Sequence, residues 1–486
     1  MSGLDLPTTV DASQVSDWSD TVDVVVIGFG IGGGCAAVTA AAAGARVLVL
    51  ERAAVAGGTT ALAGGHFYLG GGTPVQEATG HHDTAEQMYS YLVAMSREPD
   101  HDKIRAYCEG SVEHFTWLEH LGFTFERSYY PEKAVIQPNT EGLMYTGNEK
   151  VWPYKDLATP APRGHKVPVP GDTRGAALVI DLLLRRAAEL GVQIRYETGA
   201  TNLVLDQGAV VGVRWKHFGE TGTVRAGAVV LAAGGFVMNR DMVARYTPKL
   251  AEKPFVLGNT YDDGLGIRMG ESAGAATKHM DQAFITAPAY PPSILLTGII
   301  VNTLGQRFVA EDSYHSRTSG FVMEQPGSAA FLIVDEAHLQ RPALPLITFI
   351  DGWETVEEME AALGIPKGNL VATLDRYNRH AAAGEDPDFH KQPEFLAPQD
   401  NGPWAAFDLS LGKALYSGFT VGGLATSVDG EVLRPDGHAI PGLYAAGACA
   451  STLAQDGKGY SSGTQLGAGS FFGRRAGARA AHRPVD

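Results

Sequence analysis

The chain of 486 residues reads as an α/β fold: a parallel sheet with helices packed against it, carrying an inserted α+β unit. Three observations predict this. An apolar run, a glycine-rich turn, a small-residue helix and a second apolar run follow one another over 21–53. A strand running into a glycine pair recurs at 229–236, and another strand enters glycine at 442–447. Between those two, over 277–411, Pro is more frequent and the strand-like segments are shorter. The sheet is therefore expected to be assembled from both ends of the chain, with the second unit between them.

The first segment carries the most information. Val22, Val24 to Val26 and Ile27 form an apolar run of strand length. Gly28, Gly30 and Gly33 follow as G-x-G-x-x-G. A helix is predicted over 36–43, Gly44 stops it, and 47–50 is a second strand ending at Glu51, 23 residues after Gly28. This is the order that holds a dinucleotide. One glycine makes the tight turn, one lets backbone approach a pyrophosphate, and one lets helix and sheet pack closely. The helix N-terminus stabilises phosphate charge, and Glu51 can accept a hydrogen bond from a ribose hydroxyl.

Next, two glycine pairs flank a Thr/Ala stretch within 56–72, a segment able to run along a flat, polyphosphate-bearing ligand. Residues 83–121 are predicted helical, with Met88, Tyr89, Leu92 and Met95 at helix spacing. The Pro-rich stretch 126–173 is expected to form loops over the surface. A helix over 176–190 stops at Gly191, and strands are predicted over 192–196, 200–206, 209–215 and 223–230, a β-meander leading into the Gly-Gly turn. Asp263 is placed to cap a helix starting near Gly264, a further helix is predicted over 370–382, and residues 463–466 open a last helix over 467–481. No internal repeat or low-complexity tract is visible.

Composition narrows the function. The chain is 44% hydrophobic and 19% charged, as in a soluble globular enzyme, and its 60 glycines suit many close backbone approaches. A formal net charge of −16 argues against nucleic acid as a partner, which needs a basic surface. Cys35, Cys108 and Cys449 form no C-x-x-C pair and read as reduced, structural thiols. The first residues lack the basic region and apolar core of a secretory signal, and no apolar run reaches bilayer-spanning length, so a cytoplasmic protein is expected. His81 and His82 have no partner at metal-ligand spacing, so no metal site is expected, and no Ser-His-Asp arrangement is evident.

The first segment, the 57–65 loop, the 229–236 turn, the 260–274 segment and the final GLYAAG…SSGTQL together resemble flavoproteins of the fumarate reductase and 3-ketosteroid dehydrogenase family. The resemblance implies FAD as the cofactor. It implies a Rossmann-like FAD-binding domain over 18–275 and 415–486, and an inserted catalytic domain over 276–414 that caps the substrate. Carried over by position, the FAD-binding residues are Gly28, Gly30, Gly33, Glu51, Arg52, Gly58, Thr59, Ala63, Gly64, Gly65, Ala233, Gly234, Asp263, Gly447, Ser462, Gly463 and Leu466. Some relatives attach FAD covalently to a His. Gly58 stands at that position here, which implies noncovalent FAD.

The family divides by what the second domain delivers to the flavin. Dicarboxylate reductases need cations, because a dianion must be paired when it is desolvated. At three places resembling theirs the charge is missing. After the shared G-x-R-F-x-x-E element, Gly305 to Glu311, this chain has Ser313, Tyr314 and His315 where they carry Arg. Phe419 replaces a His before Gly422 and Gly423, and Tyr460 stands where an Arg precedes their G-G-N segment. Arg307 and Glu311 read as a structural ion pair.

What remains is an aromatic, hydroxyl-bearing site suited to a flat neutral ketone, and it looks like that of the 3-ketosteroid dehydrogenases. Tyr314 falls, with a one-residue slip, where those enzymes place a tyrosine base. Tyr460 falls where they bind the 3-keto oxygen. Ser462 takes the position that is Gly in enzymes acting at C1–C2, and only Ser461 separates it from Tyr460. The terminal segment looks most like that of the 3-ketosteroid Δ4-(5α)-dehydrogenases. The implied reaction removes a proton at C4 and a hydride from C5 to flavin N5. Tyr314 is the expected base, and the Tyr460 hydroxyl and Ser462 amide the expected donors to the keto oxygen. The roles of the two tyrosines can be exchanged. The implied partners are a steroid and an unidentified electron acceptor, with no nucleic acid and no membrane span. The alternatives are a Δ1-dehydrogenase, a flavin-dependent fumarate or enone reductase, and an FAD-stabilised scaffold without turnover.

Overall fold

Strand Asp20–Ile27 lies inside the main sheet, and its last four residues are buried. It pairs in parallel with Val47–Leu50 on one side and with Glu220–Leu231 on the other. The computed structural model describes residues 4–135, 137–171, 175–252 and 255–485. The 12-residue strand Glu220–Leu231 does two jobs. Its first half closes an antiparallel meander with Thr198–Asp206 and Ala209–His217. Its second half pairs in parallel with Asp20–Ile27 and with Ala439–Ala445 from the far end of the chain. The sheet is therefore built from both termini, as expected.

The helix after the first strand is Ile31–Ala42, and it starts inside the glycine triplet. The last helix, Thr464–Ala481, begins three residues before the expected start at 467. These two helices touch backbone to backbone. A Cβ on Gly473 would overlap the Gly32 carbonyl, and one on Gly477 would overlap the Ala36 carbonyl. The small residues of both segments are what permit this approach.

The inserted segment carries an antiparallel sheet in the order Ile299–Asn302, Ala330–Asp335, Trp404–Asp408, Thr348–Trp353. Helices Val356–Ala362 and Asn369–Ala382 pack on it around Met359, Leu370, Leu374 and Tyr377. A small sheet ties the two parts together: Ser417–Thr420 pairs with both Phe255–Val256 and Ala283–Thr286. Arg307 bridges Glu311 at 2.8 Å and Asp386 at 2.9 Å, nearly fully buried, the structural role expected of it. Helix His315–Glu324 carries the expected catalytic residue Tyr314 at its N-cap.

Two expectations are corrected. Residues 83–121 form two helices, Ala85–Met95 and His101–His120, the second capped by the Asp100 carboxylate. The 126–173 stretch is not a set of surface loops. It contributes strands Leu143–Met144 and Gly164–Lys166, and Asn148, Glu149, Arg163 and His165 are buried in it. Arg163 pairs with Asp83 at 2.7 Å with no solvent exposure on either side chain. Pro and Gly content marked this stretch as irregular, but irregular backbone is also what threads between two packed units.

All three cysteines are buried and unpaired, and burial pushes the Cys108 and Cys449 thiols up to about 12. Among the described residues no group of His, Cys, Asp and Glu could hold a metal, and no helix is long and apolar enough to cross a membrane.

Candidate active site

The glycine triplet behaves mechanically as its spacing requires. Gly28 turns at φ +93°, and a Cβ there would lie 2.6 Å from the Ala232 carbonyl oxygen. A Cβ on Gly33 would overlap the Gly28 carbonyl itself. Gly30 is different: its nearest neighbour is the Thr60 hydroxyl at 3.2 Å, so its face stays open to a ligand. Gly30 is the N-cap of helix Ile31–Ala42 and offers no side chain to cap it; the Ile31 amide donates to the Thr60 hydroxyl at 3.0 Å, and the amides that follow it in the first turn face the end where an anion is stabilised. Glu51 sits at the end of its strand with one carboxylate oxygen accepting from the Phe29 amide and the other from the Ala53 amide, each at 2.9 Å. Burial raises its pKa against those amides.

The other cofactor candidates gather around this end of the sheet. Gly234 turns at φ +84° against the buried Asp262, whose carboxylate accepts from the Thr59 hydroxyl. The Asn259 amide donates to the same Thr59 oxygen at 2.7 Å. Arg52 pairs with Asp263 at 2.6 Å and lies over the Tyr261 ring. Asp263 also accepts from the Leu265 amide at 3.0 Å, capping Leu265–Ser272 as expected. Ala233 follows the Ala232 carbonyl that abuts Gly28, and Gly447 packs on Gly32. Gly58 turns at φ +48° with open space around it, whereas Gly65 is held tightly by Val167 and Gly175. The Ala63 carbonyl accepts from the Ala176 amide at 3.0 Å, and the Gly64 carbonyl abuts Gly175. Gly463, at φ +95°, caps the last helix, and Leu466 packs into the main core.

The three expected catalytic residues come together. Tyr314 reaches in from the inserted segment, and its hydroxyl donates to the Ser462 hydroxyl at 3.0 Å. Tyr314 and Tyr460 share one buried cluster with Phe284, Val421 and Ala454. Phe284 stacks on Phe419 with ring centroids 4.7 Å apart and meets Tyr460 edge-on at 4.8 Å. Burial raises both phenols, Tyr314 further through its proximity to Tyr460 and against the Ser462 hydrogen bond. The Gln465 amide, in the first turn of helix Thr464–Ala481, pulls Tyr460 the other way. His315 shares a 2.6 Å hydrogen bond with Thr286 through Nδ1, and burial holds its pKa down at about 3, so it is neutral. The cage is aromatic and uncharged.

One expected donor is not available. The Ser462 amide, assigned to the keto oxygen, donates instead to the Thr146 carbonyl at 2.8 Å. Sequence reasoning also missed Asn148, whose Oδ1 accepts from the Tyr314 amide at 2.8 Å and fixes the start of helix His315–Glu324. Thr146 and Asn148 belong to the misread 126–173 stretch. Phe284 and Tyr290, which face His315, carried no motif. A glycine beside Asn148, in Thr146-Gly147-Asn148-Glu149, was the only signal of a close approach there.

The FAD binding domain family pattern matches residues 23–470. The chain belongs to the FAD-binding-domain family. This flavoprotein is similar in structure to the 3-ketosteroid-delta4-(5alpha)-dehydrogenase of Rhodococcus jostii RHA1, solved in complex with 4-androstene-3,17-dione: 42% identity, TM-score 0.92, covering 98% of this chain and 99% of that one. It is 30% identical to the urocanate reductase of Eggerthella lenta, over 95% of this chain and 74% of that protein. It is 27% identical to the 3-oxo-5-alpha-steroid 4-dehydrogenase of Comamonas testosteroni, over 90% of this chain and 94% of that protein. FAD is the cofactor, and the cradle fits it. A helix start turned by glycine, an open Gly30 face and an amide-held Glu51 meet at the carboxyl ends of the paired strands Asp20–Ile27 and Val47–Leu50.

Proposed function

We propose that this flavoprotein desaturates a 3-keto-5α-steroid at C4–C5. The observation that carries the reading is the hydroxyl pair Tyr314–Ser462 beside Tyr460, in a cage with no charge. The three positions expected to pair a dianion hold neutral His315, Phe419 and Tyr460, and no member of the cluster around the two phenols is a cation. A flat ketone matches both the stacked walls and the hydroxyl groups. The likeness to the Rhodococcus enzyme supports the same substrate class.

Bound FAD supplies the acceptor for the hydride leaving C5. The chain supplies proton handling and charge stabilisation. The ketone acidifies C4, and the Tyr314–Ser462 pair takes that proton. A buried phenolate is costly, so the pair works as a neutral relay rather than as a standing base. Tyr460 binds the keto oxygen. The Gln465 amide, at the positive end of an 18-residue helix, pulls the phenol's pKa down against burial, which favours it as a donor to developing enolate charge. This division of labour follows from Tyr314 already donating to Ser462. FAD is held noncovalently, in keeping with Gly58 at the position where some relatives attach it. A cytoplasmic site of action agrees with three unpaired thiols.

Bond position is tested with deuterated 5α-androstane-3,17-dione. Deuterium at C4 and at C5, in separate samples, slows anaerobic flavin reduction, while deuterium at C1 or C2 leaves it unchanged. The opposite pattern makes the enzyme a Δ1-dehydrogenase.

A further inference from the structure

A proton taken from carbon by a buried hydroxyl pair must leave before the next turnover. His315 is a poor carrier: Thr286 engages Nδ1, Nε2 has no partner among the described residues to pass a proton to, and burial keeps the ring neutral. On its other side Tyr314 forms part of the wall of a cavity of about 210 Å³, together with Gly147, Glu149, Lys150, Tyr290 and Gln392. That volume holds several waters. Asn148, which adjoins the lining residues Gly147 and Glu149 in sequence, and Asp312 and Ser313, which precede Tyr314, each carry a buried polar atom without a partner among the described residues.

The cavity wall carries three carboxylates, and Glu132 and Glu394 are exposed while Glu149 is buried. Glu149 accepts from the Tyr68 hydroxyl at 2.9 Å and from the Gly147 amide at 3.0 Å, and it makes no ion pair among the described residues. Arg163, the cation nearest to it in effect, is already paired with Asp83. Tyr68, Tyr91 and Tyr145 face it as neutral phenols, and Lys133 and Lys150 line the same cavity.

We propose that Glu149 receives the substrate proton from the Tyr314–Ser462 pair, across water in this cavity, and releases it at the mouth marked by Glu132 and Glu394. The inference rests on the desaturase reading. The C4–H bond breaks and its proton forms an O–H bond on the hydroxyl pair, while its electron pair enters the C4–C5 double bond as hydride leaves C5. The pair passes one O–H proton to water, a Glu149 oxygen gains one, and release to solvent restores the carboxylate. Burial raises the Glu149 pKa against the opposing pull of Arg163, which makes it a better proton acceptor than a surface carboxylate. Glu149 is a positioning and relay residue, since it touches neither substrate nor cofactor in this scheme.

The test uses the FAD-loaded enzyme with Glu149→Gln and Glu149→Asp, reduced anaerobically by 5α-androstane-3,17-dione across pH, with and without acetate. Glu149→Gln is expected to slow flavin reduction about tenfold or more, leave steroid affinity unchanged, lose the acidic limb of the pH profile, and recover with acetate. Glu149→Asp retains part of the rate. Infrared difference spectra of the unmodified enzyme are expected to show a protonated carboxylic acid on reduction, absent in Glu149→Gln. An unchanged rate and pH profile in Glu149→Gln, an effect confined to steroid affinity, or no carboxylic acid band in the unmodified enzyme overturns the proposal. The infrared arm decides if Glu149→Gln fails to hold FAD. If the steroid does not reduce the unmodified flavoprotein at all, the desaturase reading fails and this proposal falls with it.

Discussion

The Tyr314 hydroxyl donates to the Ser462 hydroxyl at 3.0 Å, joining the start of a helix in the inserted segment to the loop before the last helix. The two residues lie 148 positions apart, so the pair exists only in the folded chain. Tyr314 is fixed there by its amide bonding to Asn148, and Ser462 by its amide bonding to Thr146. The hydroxyl pair is thus positioned from both sides by one buried stretch.

If the pair acts as one relay, removing either hydroxyl disables it. Tyr314→Phe and Ser462→Ala each slow anaerobic flavin reduction by about 10²–10⁴. The double variant is no slower than the worse single variant, because the groups act as a unit. Additive losses in stopped-flow traces would show that the two hydroxyls serve separate steps.

Tyr460→Phe keeps the aromatic packing against Phe284 and Phe419 and removes only the donor to the keto oxygen. The expected loss is about 10²–10³ in the rate of flavin reduction, with FAD content unchanged. Wild-type flavin reduction in this variant would remove Tyr460 from the chemistry.

The glycines of the cradle separate folding from cofactor binding. Gly33→Ala places a methyl on the Gly28 carbonyl and lowers the yield of folded protein. Gly30→Ala meets only the Thr60 hydroxyl at 3.2 Å, so it folds but binds FAD weakly. The ratio of flavin to protein absorbance, beside circular dichroism, reads both. A Gly30→Ala protein with full FAD would show that its face is not where the pyrophosphate approaches.

Acid stability is set first by buried histidines. Burial depresses His66, His114 and His315 to about 3 and His165 to about 4. Each binds a proton in the unfolded chain from about pH 6.5 downward and stays neutral in the fold. Stability therefore begins to fall near pH 6.5 and keeps falling toward pH 3–4. Each histidine contributes a slope of about 1.4 kcal/mol per pH unit in that window. Melting temperature measured from pH 7 to pH 4 checks this, and a flat profile above pH 5 would contradict it.

Much of this was legible in the sequence, and for a physical reason. Gly28, Gly33 and Glu51 are read from local spacing because a dinucleotide site is a local object: one strand, one turn, one helix. Tyr460 and Ser462, singled out because they sit in a short glycine-rich loop where the absence of Arg is conspicuous, lie beside Tyr314 in the fold. Tyr314 needed a one-residue slip, which its place at a helix N-cap accommodates. The failures share a cause. Asn148, Thr146 and Glu149 belong to a stretch without periodicity, whose burial depends on two units closing around it. The Ser462 amide was assigned by analogy to a carbonyl it cannot reach while it bonds Thr146, a contact 316 positions away that spacing does not encode.

The central claim is that an uncharged, phenol-lined cleft serves the flavin in place of a cationic one. Anaerobic mixing of the oxidised flavoprotein with 5α-androstane-3,17-dione tests it most directly. The account predicts bleaching of the flavin absorbance with stoichiometric formation of the C4–C5 enone. A flavin that stays oxidised with the steroid, and whose reduced form is rapidly reoxidised by fumarate or urocanate, would contradict it.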